Sequence, residues 1–261
     1  MAFIQCEFFS ETLAQVCSLH AILPQANRTS CKDFEAKAEA GFPVLYLFHG
    51  LHDNQSAWTS KSSIERYATN RGLAVVMPAV HRSFYSNMKH GYNYWTFVSE
   101  EVPTIAKSIL PLSNERANTF VAGLSMGGYG AFKMALKKPE DFAAAASLSG
   151  ALDLQEAEQL KEEYLPEWHD IFGSPEEFEG SENDLMSALD SFAKIEAEKP
   201  KLYQCCGTED YLYQSNISFL NRARELGVEI DYEEGPGDHE WGYWDKQIQR
   251  VLDWLPLEIS N

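Results

Sequence analysis

Apolar positions along the chain change period several times. Residues 2–9 and 13–23 alternate. In the second stretch Ala14, Val16, Ser18, His20 and Ile22 point one way, and Leu13, Gln15, Cys17, Leu19 and Ala21 the other. A period of two is that of a strand with two distinct faces, so an antiparallel pair is predicted. Residues 24–42, with Pro24, Asn27 and Gly41, read as a loop.

Beyond residue 43 the strands change character. PVLYLFHG (43–50), LAVVMPAV (73–80), NTFVAG (118–123), FAAAASLSG (142–150) and KLYQCCG (201–207) are nearly continuous apolar runs. Runs of that kind fit a parallel sheet covered on both faces. Helical periods lie between them at 60–71, 98–110 and 126–137, the last carrying Met126, Tyr129, Ala131, Phe132, Ala135 and Leu136. A last strand is predicted at 228–234 and a last helix at 241–255. Strand alternating with helix predicts an α/β fold: a mostly parallel, doubly wound sheet with helices on both faces.

One segment breaks the alternation. Residues 151–196 are longer than a simple crossover needs, and 155–184 hold eleven Asp or Glu against the single Lys161. Tyr164, Trp168, Phe172 and Phe178 are interspersed. The segment reads as a small cap-like insert over the carboxyl edge of the sheet, where ligands bind in folds of this kind. With no internal repeat or low-complexity linker, residues 1–261 read as a single domain, a length that supports a full core without disulfides or metals.

Charge and cysteines narrow the setting. Lys and Arg number 21 against 39 Asp and Glu, a formal charge of −18. That balance disfavours nucleic acid and anionic membrane surfaces as partners, since both are bound through cations. No apolar stretch approaches the roughly 18 residues of a membrane helix, and the N-terminus lacks the pattern of a signal peptide. The five cysteines (Cys6, Cys17, Cys31, Cys205, Cys206) form no C-x-x-C, and the adjacent Cys205 and Cys206 are badly placed to bridge. Free thiols, and with them a cytoplasmic location, are expected.

The candidate chemistry begins at GLSMG (123–127), a G-x-S-x-G pattern with a predicted strand before it and a predicted helix after it. That context is the one in which a serine is presented on a sharp turn as a nucleophile. A serine hydroxyl needs a base at neutral pH, and with this motif the acid and then the histidine follow the serine along the chain. Of seven histidines only His169 and His239 follow Ser125. His169 falls in the acidic insert; His239 follows the last strand, in GPGDHEW, and is the expected base. The acid should follow the strand at 201–207, where Glu209 and Asp210 are both candidates. Asp231, inside a strand pattern, and Asp238, adjoining His239, are poorer ones. The developing oxyanion needs two backbone donors. Met126, next after the nucleophile, supplies one, and Leu51, in the HGLHDNQSAW loop after the strand at 43–48, the other; His49 and Gly50 shape that turn. His49 and His52 have no matching cluster for a metal, and HEWGY (239–243) has Tyr243 where a zinc motif needs its second histidine. No dinucleotide or P-loop motif is present.

Taken together, PVLYLFHG with HDNQSAW, GYNYWTFVSEEVP, FVAGLSMGGYGAFKMAL, SLSGAL, CGTEDYLY and GDHEWGYWDKQI resemble the esterase D and S-formylglutathione hydrolase-like family of α/β-hydrolases, and within it the bacterial tributyrin esterases most. The resemblance spans about residues 3–256 and is weakest in 24–40 and 151–196. It implies an α/β-hydrolase fold, no cofactor and no metal, and a small-molecule acyl ester as partner; a homo-oligomer stays open. It selects Asp210 over Glu209 and agrees with Leu51 and Met126 as oxyanion donors. The activity it implies is hydrolysis of short acyl esters through an acyl-enzyme. S-formylglutathione hydrolysis and acetyl or feruloyl ester cleavage on plant polysaccharide fragments are the alternatives. A short acyl pocket is expected from the aromatic run 84–95 together with Tyr164, Trp168 and Phe172.

Overall fold

The computed structural model describes residues 1–25, 39–157 and 160–257; Cys31 and most of the expected loop at 24–42 lie outside them. Strands β1 (Ala2–Ser10) and β2 (Gln15–Leu23) form the expected antiparallel pair, in register from Ala2 opposite Leu23 to Ser10 opposite Gln15. They are followed by β3 (Val44–Phe48), β4 (Ala74–Pro78), β5 (Thr119–Leu124), β6 (Ala144–Leu148), β7 (Lys201–Gly207) and β8 (Asp231–Gly235). The eight form one sheet in the order β1-β2-β4-β3-β5-β6-β7-β8. β2 runs antiparallel to β4, and β3 to β8 all pair in parallel.

The apolar runs are buried on both faces because each face meets its own core. Val44, Tyr46 and Phe48 of β3 enter one core with Ala74, Val76 and Val121, while Leu45 and Leu47 enter the other with Val75, Met77, Phe120, Ala122 and Leu124. The same holds in β2, where Leu19 and Ala21 face one way and Ile22 the other.

The helix expected at 60–71 is observed as α2 (Ile64–Thr69), preceded by a separate short helix, α1 (Ala57–Lys61). The period is cut at Ser62, which is extended; its hydroxyl donates to Trp58 O and accepts from Ile64 N–H. The helix expected at 98–110 starts earlier. A turn at Tyr94–Thr96 runs into a wide π turn at Phe97–Glu101 and then α3 (Val102–Ile109). Pro103 has no N–H to return to Ser99 O, and the helix widens at that point. Helix α4 (Met126–Lys137) matches its prediction.

The insert holds a π turn (Leu160–Tyr164) and helices α5 (Trp168–Phe172), α6 (Pro175–Phe178) and α7 (Leu185–Ala193). A capping box of Ser174 and Glu177 starts α6, and Asp184 caps α7 by accepting from Met186 and Ser187 N–H. Helix α8 (Tyr213–Glu225) was not legible in the apolar pattern. The final helix, α9 (Trp241–Trp254), packs with α2 on one face of the sheet; α3, α4, α7 and α8 cover the other.

β4 lies on one side of β3 and β5 on the other, so the winding reverses between β3 and β5. A crevice opens outside the carboxyl ends of strands at such a point. The loops after β3 and β5 meet there.

Lys133 joins three parts of the structure below that crevice. It is fully buried on α4, and its Nζ donates to Tyr85 O (3.2 Å), Ser86 Oγ (3.1 Å) and Asn183 Oδ1 (2.6 Å). The rings of Trp95 and Tyr129 lie 4.8 and 5.7 Å away. Burial lowers its pKa to about 7, with Glu182 opposing the shift. Between pH 7 and about 10 the unfolded chain therefore keeps a proton that the folded chain releases. The cost of burying the charge is full below pH 7 and fades as pH rises. The melting temperature of the wild type, relative to that of Lys133→Met, should thus increase from pH 7 to 10. A difference that stays constant or shrinks would rule this out.

Candidate active site

Ser125 ends β5 and begins α4 with φ 54° and ψ −120°, a left-handed conformation unusual for a residue with a side chain. Its own backbone secures the turn. Ser125 N–H donates to Leu148 O (2.9 Å), and Ser125 O accepts from Tyr129 N–H (3.1 Å) and Ala151 N–H (3.3 Å). The flanking glycines are required by packing. A Cβ on Gly127 would lie 2.5 Å from Phe48 O and 2.7 Å from His49 O, and one on Gly123 would collide with the backbone of Gly127. The turn is therefore wedged against the end of β3.

His239 arrives from the loop between β8 and α9. Its Nε2 lies 3.0 Å from Ser125 Oγ, and its Nδ1 lies 3.0 and 2.9 Å from the two carboxylate oxygens of Asp210. The Asp210 side chain is wholly buried and also accepts from Leu212 N–H at 2.8 Å. A carboxylate on Nδ1 keeps the proton there and leaves Nε2 to accept from the serine hydroxyl. Tyr211 and Trp244 flank the imidazole at 4.6 and 4.8 Å between centroids.

The structure thus brings Ser125, His239 and Asp210 together and leaves the alternatives apart. His169 sits on α5 with its Nδ1 against Gly173 O. Asp231 accepts from Trp254 Nε1, and Asp238 from the adjoining His239 N–H. Glu209 does something the sequence did not indicate. Its Oε2 accepts from Gly237 N–H (2.6 Å) while its own N–H donates to Gly237 O (3.1 Å). This reciprocal pair ties the loop of His239 to that of Asp210, and the Gly237 amide holds the exposed Glu209 carboxyl below its usual pKa.

Met126 adjoins Ser125 along the chain, and Gly50, which precedes Leu51, approaches it across the crevice. Met126 is the first residue of α4, and a Cβ on Gly50 would stand 3.6 Å from Ser125 Cβ. Leu51 and Met126 are both buried. Among the described residues neither amide donates in a turn or loop. His49, also buried, has Nδ1 2.8 Å from Gly50 O and Nε2 3.1 Å from Val80 N. Burial lowers its pKa to about 4.

The aromatic residues expected to form a short acyl pocket fall into two groups. Phe84 and Tyr85 are fully buried core residues, and Trp168, Phe172 and Phe178 stack on one another and on Phe84 as the insert's own core. Their rings pack within the insert and against the loop after β4. Tyr164 stands apart from them: its ring lies 5.6 Å from Tyr211 and 5.9 Å from His52. Arg82, just after β4, holds this part of the insert by donating to Tyr164 O (2.6 Å) and to both oxygens of Glu167 (2.5 and 2.9 Å). Arg82 and Tyr211 carried no motif by which spacing alone would find them.

A serine, an imidazole and a buried carboxylate in this order suit acyl transfer, and comparisons with known proteins agree. The model of the Esterase family matches residues 31–255. The chain belongs to that family. It is an esterase of the esterase D and S-formylglutathione hydrolase-like type, with the α/β-hydrolase fold. The esterase is 30% identical to an acetyl esterase of Caldicellulosiruptor saccharolyticus, over 98% of each chain. Among solved structures it is similar to FphF, a fluorophosphonate-binding serine hydrolase of Staphylococcus aureus, with TM-score 0.88 and 35% identity over 97% of this chain and 98% of that one. It is also similar to the S-formylglutathione hydrolase FrmB of the same organism, with TM-score 0.86, 35% identity and the same coverage.

The two neighbouring acids should separate by mutation. Asp210→Asn should lower kcat on p-nitrophenyl acetate by about three to four orders of magnitude, the scale seen when the orienting carboxylate of such a triad is lost. Glu209→Gln, which weakens only the loop clamp, should cost less than about tenfold. The opposite ranking would reassign the acid.

Proposed function

We propose that this serine esterase hydrolyses short-chain acyl esters through a covalent acyl-enzyme. Ser125 Oγ attacks the ester carbonyl and His239 Nε2 takes its proton. Asp210 orients the imidazole and stabilises its charged form without accepting the proton. The amides of Leu51 and Met126 receive the oxyanion. His239 then returns the proton to the leaving alcohol, and a water repeats the sequence to release the acid. The observation that carries this reading is the 3.0 Å approach of His239 Nε2 to Ser125 Oγ, with Asp210 bonded behind the ring. No cofactor takes part in these steps. Residues 1–261 act as one catalytic domain, with the insert at about 151–196 contributing Tyr164. The free thiols of Cys6, Cys17, Cys205 and Cys206 fit a reducing, cytoplasmic setting.

The short-acyl preference is supported by the acetyl esterase relative and by the Tyr164–Tyr211 pair, whose second ring lies against His239. A fluorophosphonate probe should label the esterase on Ser125, and Ser125→Ala should lose both labelling and nearly all turnover. Retention of a tenth of wild-type turnover would exclude this nucleophile. Along a p-nitrophenyl ester series each methylene that fits should add about 0.8 kcal/mol, close to fourfold in kcat/KM. The series should peak between acetyl and butyryl and fall steeply by octanoyl. Activity still rising at dodecanoyl would overturn the short pocket.

The likeness to FrmB makes one competing reading specific. A strong preference for S-formylglutathione over every oxygen ester would replace ester with thioester as the substrate.

A further inference from the structure

The peptide joining Gly50 to Leu51 is held by its carbonyl. Gly50 O accepts from Asp53 N–H at 3.2 Å and lies 2.8 Å from His49 Nδ1. In a trans peptide the C=O and N–H point to opposite sides of one plane. Fixing the direction of Gly50 O therefore fixes that of Leu51 N–H.

The second nitrogen of His49 decides which way its first bond runs. Val80 N–H points at Nε2 over 3.1 Å, so Nε2 accepts and the ring proton sits on Nδ1, where it donates to Gly50 O. The imidazole is buried, and burial keeps it neutral to well below pH 7, so this arrangement persists wherever His239 is competent as a base. Asp53 and His81 are the charged or titratable neighbours that act on it, in opposite directions. The backbone of His49 is held as well: Tyr85 Oη donates to His49 O at 3.0 Å, from a residue that itself adopts φ 50°.

We propose that His49 is a positioning residue for the oxyanion site: its Nδ1–H aligns the Gly50–Leu51 peptide so that Leu51 N–H faces the carbonyl oxygen under attack at Ser125. The proposal rests on the reading of Ser125 as nucleophile and Leu51 as donor. Removing an oxyanion donor outright costs about 10²–10³ in kcat; misaligning one should cost roughly 10- to 100-fold. The loss should appear in kcat and not in KM, because the donor acts mainly on the tetrahedral state.

Two substitutions in the full-length esterase separate the two bonds of the ring. In His49→Asn the amide nitrogen stands near the place of Nδ1 and can still donate to Gly50 O. In His49→Gln the longer amide reaches toward Val80 N–H and leaves Gly50 O without that donor. The measurements are kcat and KM on p-nitrophenyl acetate, and the inhibition constant of a trifluoromethyl ketone, which forms a tetrahedral adduct with the serine. His49→Gln should lose about 10- to 100-fold in kcat and a similar factor in ketone affinity, with KM within about threefold of wild type. His49→Asn should recover most of both. Wild-type kcat in His49→Gln, equal losses in the two variants, or a loss in kcat without loss of ketone affinity would each overturn the proposal. If neither variant folds, Tyr85→Phe decides. It should show a smaller, matched loss in kcat and ketone affinity, and an unchanged kcat would count against the role. Labelling of the wild type by a fluorophosphonate at a residue other than Ser125 would instead remove the underlying functional reading.

Discussion

Everything at the catalytic edge depends on how closely the turn at Ser125 approaches the end of β3. The carbonyls of Phe48 and His49 come so near Gly127 that no side chain fits between them, and Gly123 faces the same limit against Gly127. This contact holds a residue with a side chain at φ 54° and, in the same step, sets the β3 loop beside the nucleophile. Strain of this kind costs on the order of 1–3 kcal/mol and persists only where its surroundings overdetermine it. Here the surroundings are three backbone hydrogen bonds to Ser125 and a strand pairing that runs from Phe48 opposite Gly123 back to Val44 opposite Thr119.

The loop after β4 is the second organising element. His81, Phe84 and Tyr85 all have positive φ, near 50°. From this one short stretch Arg82 reaches the insert, Tyr85 reaches His49 O, and the Tyr85 carbonyl and Ser86 hydroxyl accept from Lys133. Phe84 stacks edge-on against both Tyr129 of the nucleophile helix and Phe172 of the insert. The insert, the nucleophile helix and the loop bearing His49 are thus referred to a common scaffold rather than separately to the sheet.

The parallel sheet was legible because two-sided burial leaves an unmistakable mark: runs such as VLYLF with no polar break. Helix α8 was not, because its inner face is partly polar. Asn216 donates to Gly150 O and Leu212 O and receives Gln204 Nε2, while Ser215 exchanges hydrogen bonds with the Asp153 backbone. Buried polar residues satisfied in this way erase the apolar period that a reader counts. At the site, Ser125 and His239 followed from motif and chain order, but the residues alone left Glu209 and Asp210 equal until the family resemblance chose between them. Two adjacent carboxylates point to opposite sides of a turn, and only coordinates tell the one behind the imidazole from the one clamping Gly237. Arg82 and Tyr211 were invisible for a related reason: their roles come from elements distant in sequence.

Two of the contacts that attach the insert differ in physical kind. Trp168, Phe172 and Phe178 bury an aromatic cluster against Phe84, a contact indifferent to dissolved salt. The Arg82–Glu167 pair, about one-third exposed on both sides, is open to counterion screening. Rising ionic strength therefore weakens the charged part of this attachment and leaves its aromatic part in place, so the two parts divide the insert's hold on the sheet between a salt-sensitive and a salt-tolerant contact.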